Sequence, residues 1–190
     1  IKNLFPLLKY IYYIAGSVEY FVKPFENCGI TVVSAIEENS VPVAEYVVAQ
    51  IVLANKGVFE SQRCYKKPFW KLSFSLARRY PSRRFGNYGA KVGLIGLGHV
   101  GLKVLQLLKD YDFEIYICDP EVSNIKAKSM GAEKCDLAKI FEKCDVISNH
   151  LPDIASTKNI LNINLFSKMK QNAVFINTGR GAQVVEKDLV

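Results

Sequence analysis

The sequence predicts an α/β chain built on a doubly wound parallel sheet, and three observations carry that prediction. From Lys91 onward, short β-branched runs alternate with amphipathic helical stretches. Gly96, Gly98 and Gly101 spell G-x-G-x-x-G between one such run and the helical stretch that follows it. The composition, 49% apolar in 190 residues, suffices for a full domain core and excludes a disordered or small disulfide-stapled chain.

The elements follow in order. A β-branched and aromatic run at 10–15, ended by Gly16, and a second at 30–35 flank an amphipathic stretch at 18–28 closed by Gly29. That spells strand, helix, strand. Residues 41–65 form a long helical pattern with Ser40 at its N-cap and Pro42 near its first turn. The pattern is apolar on almost every side over 43–54, so it must be buried between elements or against a second copy, and a homodimer is expected. Thereafter strand and helix repeat, at 92–97, 100–111, 114–118, 124–130, 137–143, 146–149, 160–169 and 174–177, which argues right-handed crossovers in a parallel sheet. The longest apolar window, 41–54, is interrupted by Glu45 and Gln50, so no membrane span is expected. Five cysteines (Cys28, Cys64, Cys118, Cys135, Cys144) without a C-x-x-C pair point to buried thiols in a reducing, cytoplasmic compartment. The chain starts at Ile1 rather than Met and stops at Val190 inside what reads as a first helical turn, so it is expected to be a fragment.

The formal net charge of +7 is local. Eight basic residues and no acid fall between Ser61 and Ala90, including Arg63, Arg78, Arg79 and Arg84, interleaved with aromatic residues such as Tyr65, Trp70 and Phe74. Such a pattern can bind phosphates and stack bases, but charge patterning alone is a weak warrant. A solvated connecting segment is the favoured reading, and a nucleic-acid partner is not expected.

The glycine motif has the context it needs. The apolar run from Lys91 to Ile95 enters it and a helical pattern leaves it. Gly96 would make the tight turn, Gly98 would let the backbone approach a pyrophosphate, and Gly101 would let helix pack on strand, with His99 and Val100 opening the helix beside the phosphates. The second strand ends at Asp119, 18 residues past Gly101, where a carboxylate accepts from the ribose 2′-hydroxyl of NAD and repels a 2′-phosphate; Pro120 stops the strand. NAD is therefore the expected cofactor. His99 and His150 lack ligand partners at suitable spacing, so no metal site is expected.

Several segments together resemble the D-isomer-specific, NAD-dependent 2-hydroxyacid dehydrogenase family. They are 13–19 with Gly16, Ser17 and Val18, the Gly29–Val32 run followed by Val43-Ala44-Glu45, the glycine loop, and 144–152 with Thr157, Asn162 and 166–170. The most specific is Phe175-Ile176-Asn177-Thr178-Gly179-Arg180-Gly181, which is similar to the family's active-site arginine motif. The resemblance implies the end of a flavodoxin-like substrate domain at 1–35, an interdomain helix at 36–66 and a Rossmann NAD-binding domain at 67–190. It implies a carboxylate loop at Gly16, Ser17 and Val18. It also implies a cofactor wall at His150, Leu151 and Pro152, with Thr157, Asn177, Thr178 and Gly179 completing the cofactor site. Hydride transfer between NAD(H) and a 2-oxo acid or D-2-hydroxy acid is the implied activity, with Arg180 as the substrate-binding arginine.

The chemistry explains that arginine: one planar guanidinium can bridge the carboxylate and adjacent carbonyl of a 2-oxo acid and polarise the carbonyl. A surface ion pair is its plainer alternative, as a purely structural role is for His150. Ala15-Gly16-Ser17 departs from the two spaced glycines of many relatives. The family's general-acid histidine and the glutamate that orients it lie downstream of the arginine motif, beyond Val190. An NAD-responsive binding or regulatory module of the same fold is the rival to an enzyme.

Overall fold

The computed structural model describes residues 1–66, 70–79 and 86–189, with the backbone alone at 70–73. Two compact units divide at Val43/Ala44. In the first, β1 (Tyr10–Tyr13) and β2 (Thr31–Ser34) pair in parallel, with Tyr10 opposite Thr31. The expected helix at 18–28 is shorter: turns lead into a single helical turn, α1 (Lys23–Glu26). Pro24 has no N–H to donate to a turn before it, so it opens a helix rather than continuing one.

Helix α2 (Ile36–Asn55) begins in the first unit and runs into the second. It starts five residues before the pattern at 41–65 predicts. Ser40 is consequently inside the helix, not its N-cap, and its hydroxyl donates to the Glu37 carbonyl at 2.5 Å. The pattern also breaks: Gly57, at φ +63°, separates α2 from α3 (Val58–Tyr65). One face of α2, Ala44, Val47, Ile51 and Ala54, is buried in the core, while Val41, Tyr46 and Leu53 are exposed. A further helix, α4 (Trp70–Ala77), follows. In the basic stretch, Arg78 sits over the Phe74 ring at 5.7 Å; Lys67, Phe69, Tyr80, Arg83, Arg84 and Phe85 lie outside the described residues.

The second unit holds a five-stranded parallel sheet in the order β5-β4-β3-β6-β7. Its strands are β3 (Lys91–Ile95), β4 (Glu114–Cys118), β5 (Ala132–Lys134), β6 (Val146–Asn149) and β7 (Val174–Asn177). Helices α5 (His99–Leu107), α6 (Asn124–Ser129), α7 (Leu137–Lys143) and α8 (Ile163–Phe166) lie between them in sequence. Val92, Leu94, Ile117, Val146 and Ile147 have no accessible surface, as a sheet covered on both faces requires, and each contributes about 1.5–3 kcal/mol by leaving water. Strand β5 is absent from the sequence expectation, and α8 spans four residues of the ten predicted.

The order reverses between β3 and β6, and such a switch point opens a crevice at the carboxyl ends of the strands. Register lines those ends up. Ile95 pairs with Cys118 on one side and Asn149 on the other, and Asn149 pairs with Asn177. The next residue on each strand, Gly96, Asp119, His150 and Thr178, therefore falls on one edge. All five cysteines are free thiols, with Cys64 and Cys144 buried. Burial pushes the Cys135 and Cys144 thiols up to about 11 and about 12, so both stay protonated and unreactive at neutral pH. Among the described residues, no helix is long and apolar enough to cross a membrane, and no cluster of His, Cys, Asp and Glu could hold a metal ion.

Candidate functional site

The glycine loop leaves β3 at Gly96, whose φ of +84° disfavours any side chain. A Cβ there would also come within 3.0 Å of the His150 carbonyl, so this turn is pressed against the end of β6. A Cβ on Gly101 would overlap the Gly96 carbonyl oxygen, which is the close approach of helix and strand that the third glycine permits. At Gly98, the N-cap of α5, a Cβ would meet nothing within 4 Å. The N-terminal turn of α5 thus faces open space, with Gly98 and His99 exposed and Val100 half-buried. Unpaired N–H groups and the positive helix end make that space suitable for a pyrophosphate.

Asp119 stands next to this loop. Its carboxylate accepts from the Leu97 N–H at 2.6 Å and from the Glu121 N–H at 2.8 Å, so the acidic side chain anchors the loop. Pro120 follows it on the surface.

Across the switch point, the His150 Nδ1 and the Thr178 hydroxyl lie 2.8 Å apart in a hydrogen bond that joins the ends of β6 and β7. Burial pushes the imidazole down to about 4, so His150 is neutral at physiological pH and holds no proton to deliver. Its Nε2 is buried without a partner, and its ring edge lies 3.6 Å from where a Gly101 side chain would begin. A buried orphan nitrogen beneath the phosphate loop fits a site that a ligand completes.

Leu151 and Pro152 continue this wall. Their carbonyls are committed to the Gln183 amide, at 2.7 and 2.9 Å. The Thr157 hydroxyl is spent inside the same loop, donating toward the Pro152 and Ile154 carbonyls at 2.6 and 3.0 Å, so it shapes the wall from behind. Asn177 accepts from the Asn149 amide at 3.0 Å and from the Gly179 N–H at 3.1 Å. Arg180, one turn past β7, is exposed, and its guanidinium donates to the adjacent Gly179 carbonyl at 3.1 Å.

The structure thus brings Gly96, Gly98, His99, Val100, Gly101, Asp119, His150, Leu151, Pro152, Asn177, Thr178, Gly179 and Arg180 to one edge of one sheet. Gly16, Ser17 and Val18 belong to the first unit. There the Ser34 hydroxyl donates to the Gly16 carbonyl at 2.6 Å and holds the loop after β1. Sequence reasoning missed Asn149 and Gln183, both without accessible surface and both amides at the centre of this edge. A carboxamide closing the apolar run Val146-Ile147-Ser148-Asn149 was the available signal.

Known proteins match this arrangement. A formate dehydrogenase of Chaetomium thermophilum is 31% identical over 166 residues, covering 86% of this chain and 44% of that protein. A D-3-phosphoglycerate dehydrogenase of Synechocystis is 28% identical over 162 residues, covering 85% of this chain and 28% of its own length. Among solved structures, the apo D-lactate dehydrogenase of Escherichia coli superposes with a TM-score of 0.72 at 28% identity, covering 95% of this chain and 55% of that one. The D-lactate dehydrogenase of Aquifex aeolicus, solved with NAD and lactic acid, gives 0.75 at 25% identity and covers 99% and 55%. The chain spans about half the length of these structures and less of the other relatives. The family model of the D-isomer specific 2-hydroxyacid dehydrogenase NAD-binding domain matches residues 48–190. The chain accordingly carries an NAD-binding domain and belongs to the D-isomer specific 2-hydroxyacid dehydrogenases.

Proposed function

We propose that the full-length protein transfers a hydride between NAD(H) and a 2-oxo acid or D-2-hydroxy acid. The observation that carries this reading is the place of Arg180: an exposed guanidinium one turn past β7, on the edge that carries the glycine loop and Asp119. The N-terminal turn of α5 holds the pyrophosphate, Asp119 the adenosine ribose, and the wall from His150 to Pro152 with Thr178 and Gly179 the nicotinamide end. Bound NAD(H) supplies or accepts the hydride. The Arg180 fork holds the substrate carboxylate and draws electron density from the adjacent carbonyl, which favours hydride attack at the carbon. His150, neutral and half-buried, shapes the wall; the proton for the alkoxide comes from another group. Backbone N–H groups at Gly16, Ser17 and Val18 are proposed to bind a substrate carboxylate. The exposed Tyr46 and Leu53 of α2 support a homodimer, which sedimentation would reveal.

The test is a screen of 2-oxo acids with NADH, followed at 340 nm in the full-length protein. Arg180→Ala should lower kcat/KM by about 100-fold or more, since the lost group is a donor aimed at developing charge. NADH binding with no turnover on any 2-oxo acid would instead favour a regulatory module.

A further inference from the structure

Gln183 lies fully buried just past the arginine, in the short 3-10 turn Gly181–Gln183. Its carboxamide is completely used. Oε1 accepts from the Arg180 N–H at 3.0 Å and from the Asn149 side-chain amide at 2.8 Å. Nε2 donates to the carbonyls of Leu151 at 2.7 Å and Pro152 at 2.9 Å. Two acceptor sites and two N–H donors are all that a carboxamide owns, so the four bonds exhaust it. The reverse orientation would set NH₂ against two donors and the oxygen against two carbonyls. One planar group therefore has one allowed pose, and that pose ties the loop after β6 to the backbone of Arg180.

Gly179 belongs to the same arrangement. A Cβ there would overlap Gln183 Oε1, approach the Asn149 amide nitrogen to 2.8 Å and the Leu151 carbonyl to 3.2 Å. The space beside residue 179 is filled in part by the carboxamide itself, so the pose of Gln183 requires a glycine there.

From this geometry we infer that Gln183 is the positioning residue for Arg180: its buried carboxamide fixes the turn that aims the guanidinium at a 2-oxo acid. The inference rests on the substrate class proposed above and names the device that sets it. An exposed arginine on a free turn would sample many directions, and a misplacement of about 1 Å can cost on the order of 100-fold in the step it serves.

The experiment uses the full-length protein and its Gln183→Met and Gln183→Glu variants, with oxamate, a 2-oxo acid analogue, as probe. Methionine fills the volume without polar atoms. Glutamate keeps the acceptors but turns lone pairs toward the Leu151 and Pro152 carbonyls. Three quantities are read: the Kd of NADH by fluorescence, the Kd of oxamate for the NADH complex, and amide hydrogen exchange across residues 178–182. Both variants should weaken oxamate by about 10- to 100-fold and NADH by clearly less, because the α5 turn and Asp119 are untouched, with faster exchange at 178–182. Equal losses for NADH and oxamate would reduce Gln183 to general scaffolding and overturn the inference, as would unchanged oxamate binding. If the unaltered NADH complex ignores oxamate, the 2-oxo acid reading fails by itself. Exchange at 178–182 then decides whether Gln183 fixes the Arg180 turn: unchanged rates in both variants overturn that, and faster rates support it.

Discussion

At the start of its strands the five-stranded sheet is tied by charge, and at their ends by neutral groups. Asp145 accepts the Lys91 N–H at 2.8 Å and the Lys170 ammonium at 2.9 Å, and Lys91 pairs with Glu114 at 3.5 Å. At the opposite edge the ties are three carboxamides, a hydroxyl and an imidazole, with Asp119 as the one carboxylate of the set. Charges at the solvated edge cost little to keep hydrated and tolerate loose geometry. At the ligand edge, an unpaired buried charge would cost several kcal/mol and a carboxylate would repel phosphate. Satisfied amides give a single pose without either penalty. Their fixed geometry also leaves no tolerance for added atoms.

That intolerance sets the largest expected effect. Gly101→Ala drives a methyl into the Gly96 carbonyl oxygen and must displace α5 or the loop, so both stability and NADH affinity should fall, the latter by about 100-fold or more. Gly98→Ala is the contrast, because its added methyl meets no protein atom. It should leave the melting temperature unchanged while still weakening NADH, since the methyl enters the space proposed for the pyrophosphate. Isothermal titration with NADH and a melting curve on each variant separate the two cases. An equal loss of stability in both would show that α5 is not packed against the Gly96 turn as described.

His150 gives the second effect, and its sign is fixed by burial. Its folded value of about 4 lies below the ordinary 6.5, so between those pH values the unfolded chain binds more protons than the folded one. Stability is present in full above pH 6.5 and falls as pH drops through 4, by on the order of 3 kcal/mol from this residue alone. Urea unfolding at pH 7.5, 5.5 and 4.5 should trace the loss, and His150→Gln should flatten it. A slope unchanged by that substitution would assign acid sensitivity to groups other than His150.

The same contrast explains what could be read from the sequence. Strands β4, β6 and β7 and helix α7 occur at the predicted bounds, because each is an apolar or amphipathic run closed by Asp, Asn or Lys. The glycine loop was legible because three glycines at fixed spacing serve three separate steric needs. Strand β5 was not: Ala132-Glu133-Lys134 has no β-branched residue, and pairing with β4 makes it a strand. The early start of α2 was hidden by Pro42, which reads as a first-turn residue yet sits in the helix interior. Asn149 and Gln183 stayed invisible because they are 34 positions apart and bond only after β6 and β7 pair; no periodicity announces a buried carboxamide.

The smallest effect belongs to the charged edge, where Lys170→Ala and Asp145→Ala should differ although they remove the two halves of one ion pair. Lys170 is well exposed and its ammonium is screened, so its loss should cost less than about 1 kcal/mol and vanish in high salt. Asp145 is mostly covered and also holds the Lys91 N–H, the first donor of β3, which no other side chain replaces. Its removal leaves that N–H without its partner and should cost about 1–3 kcal/mol, largely independent of salt. Denaturant midpoints for the two variants at low and high ionic strength test this. Equal, salt-sensitive losses would mean that the edge is held by Coulomb attraction. The expected inequality would mean that even here the geometry of one hydrogen bond outweighs the charge that accompanies it.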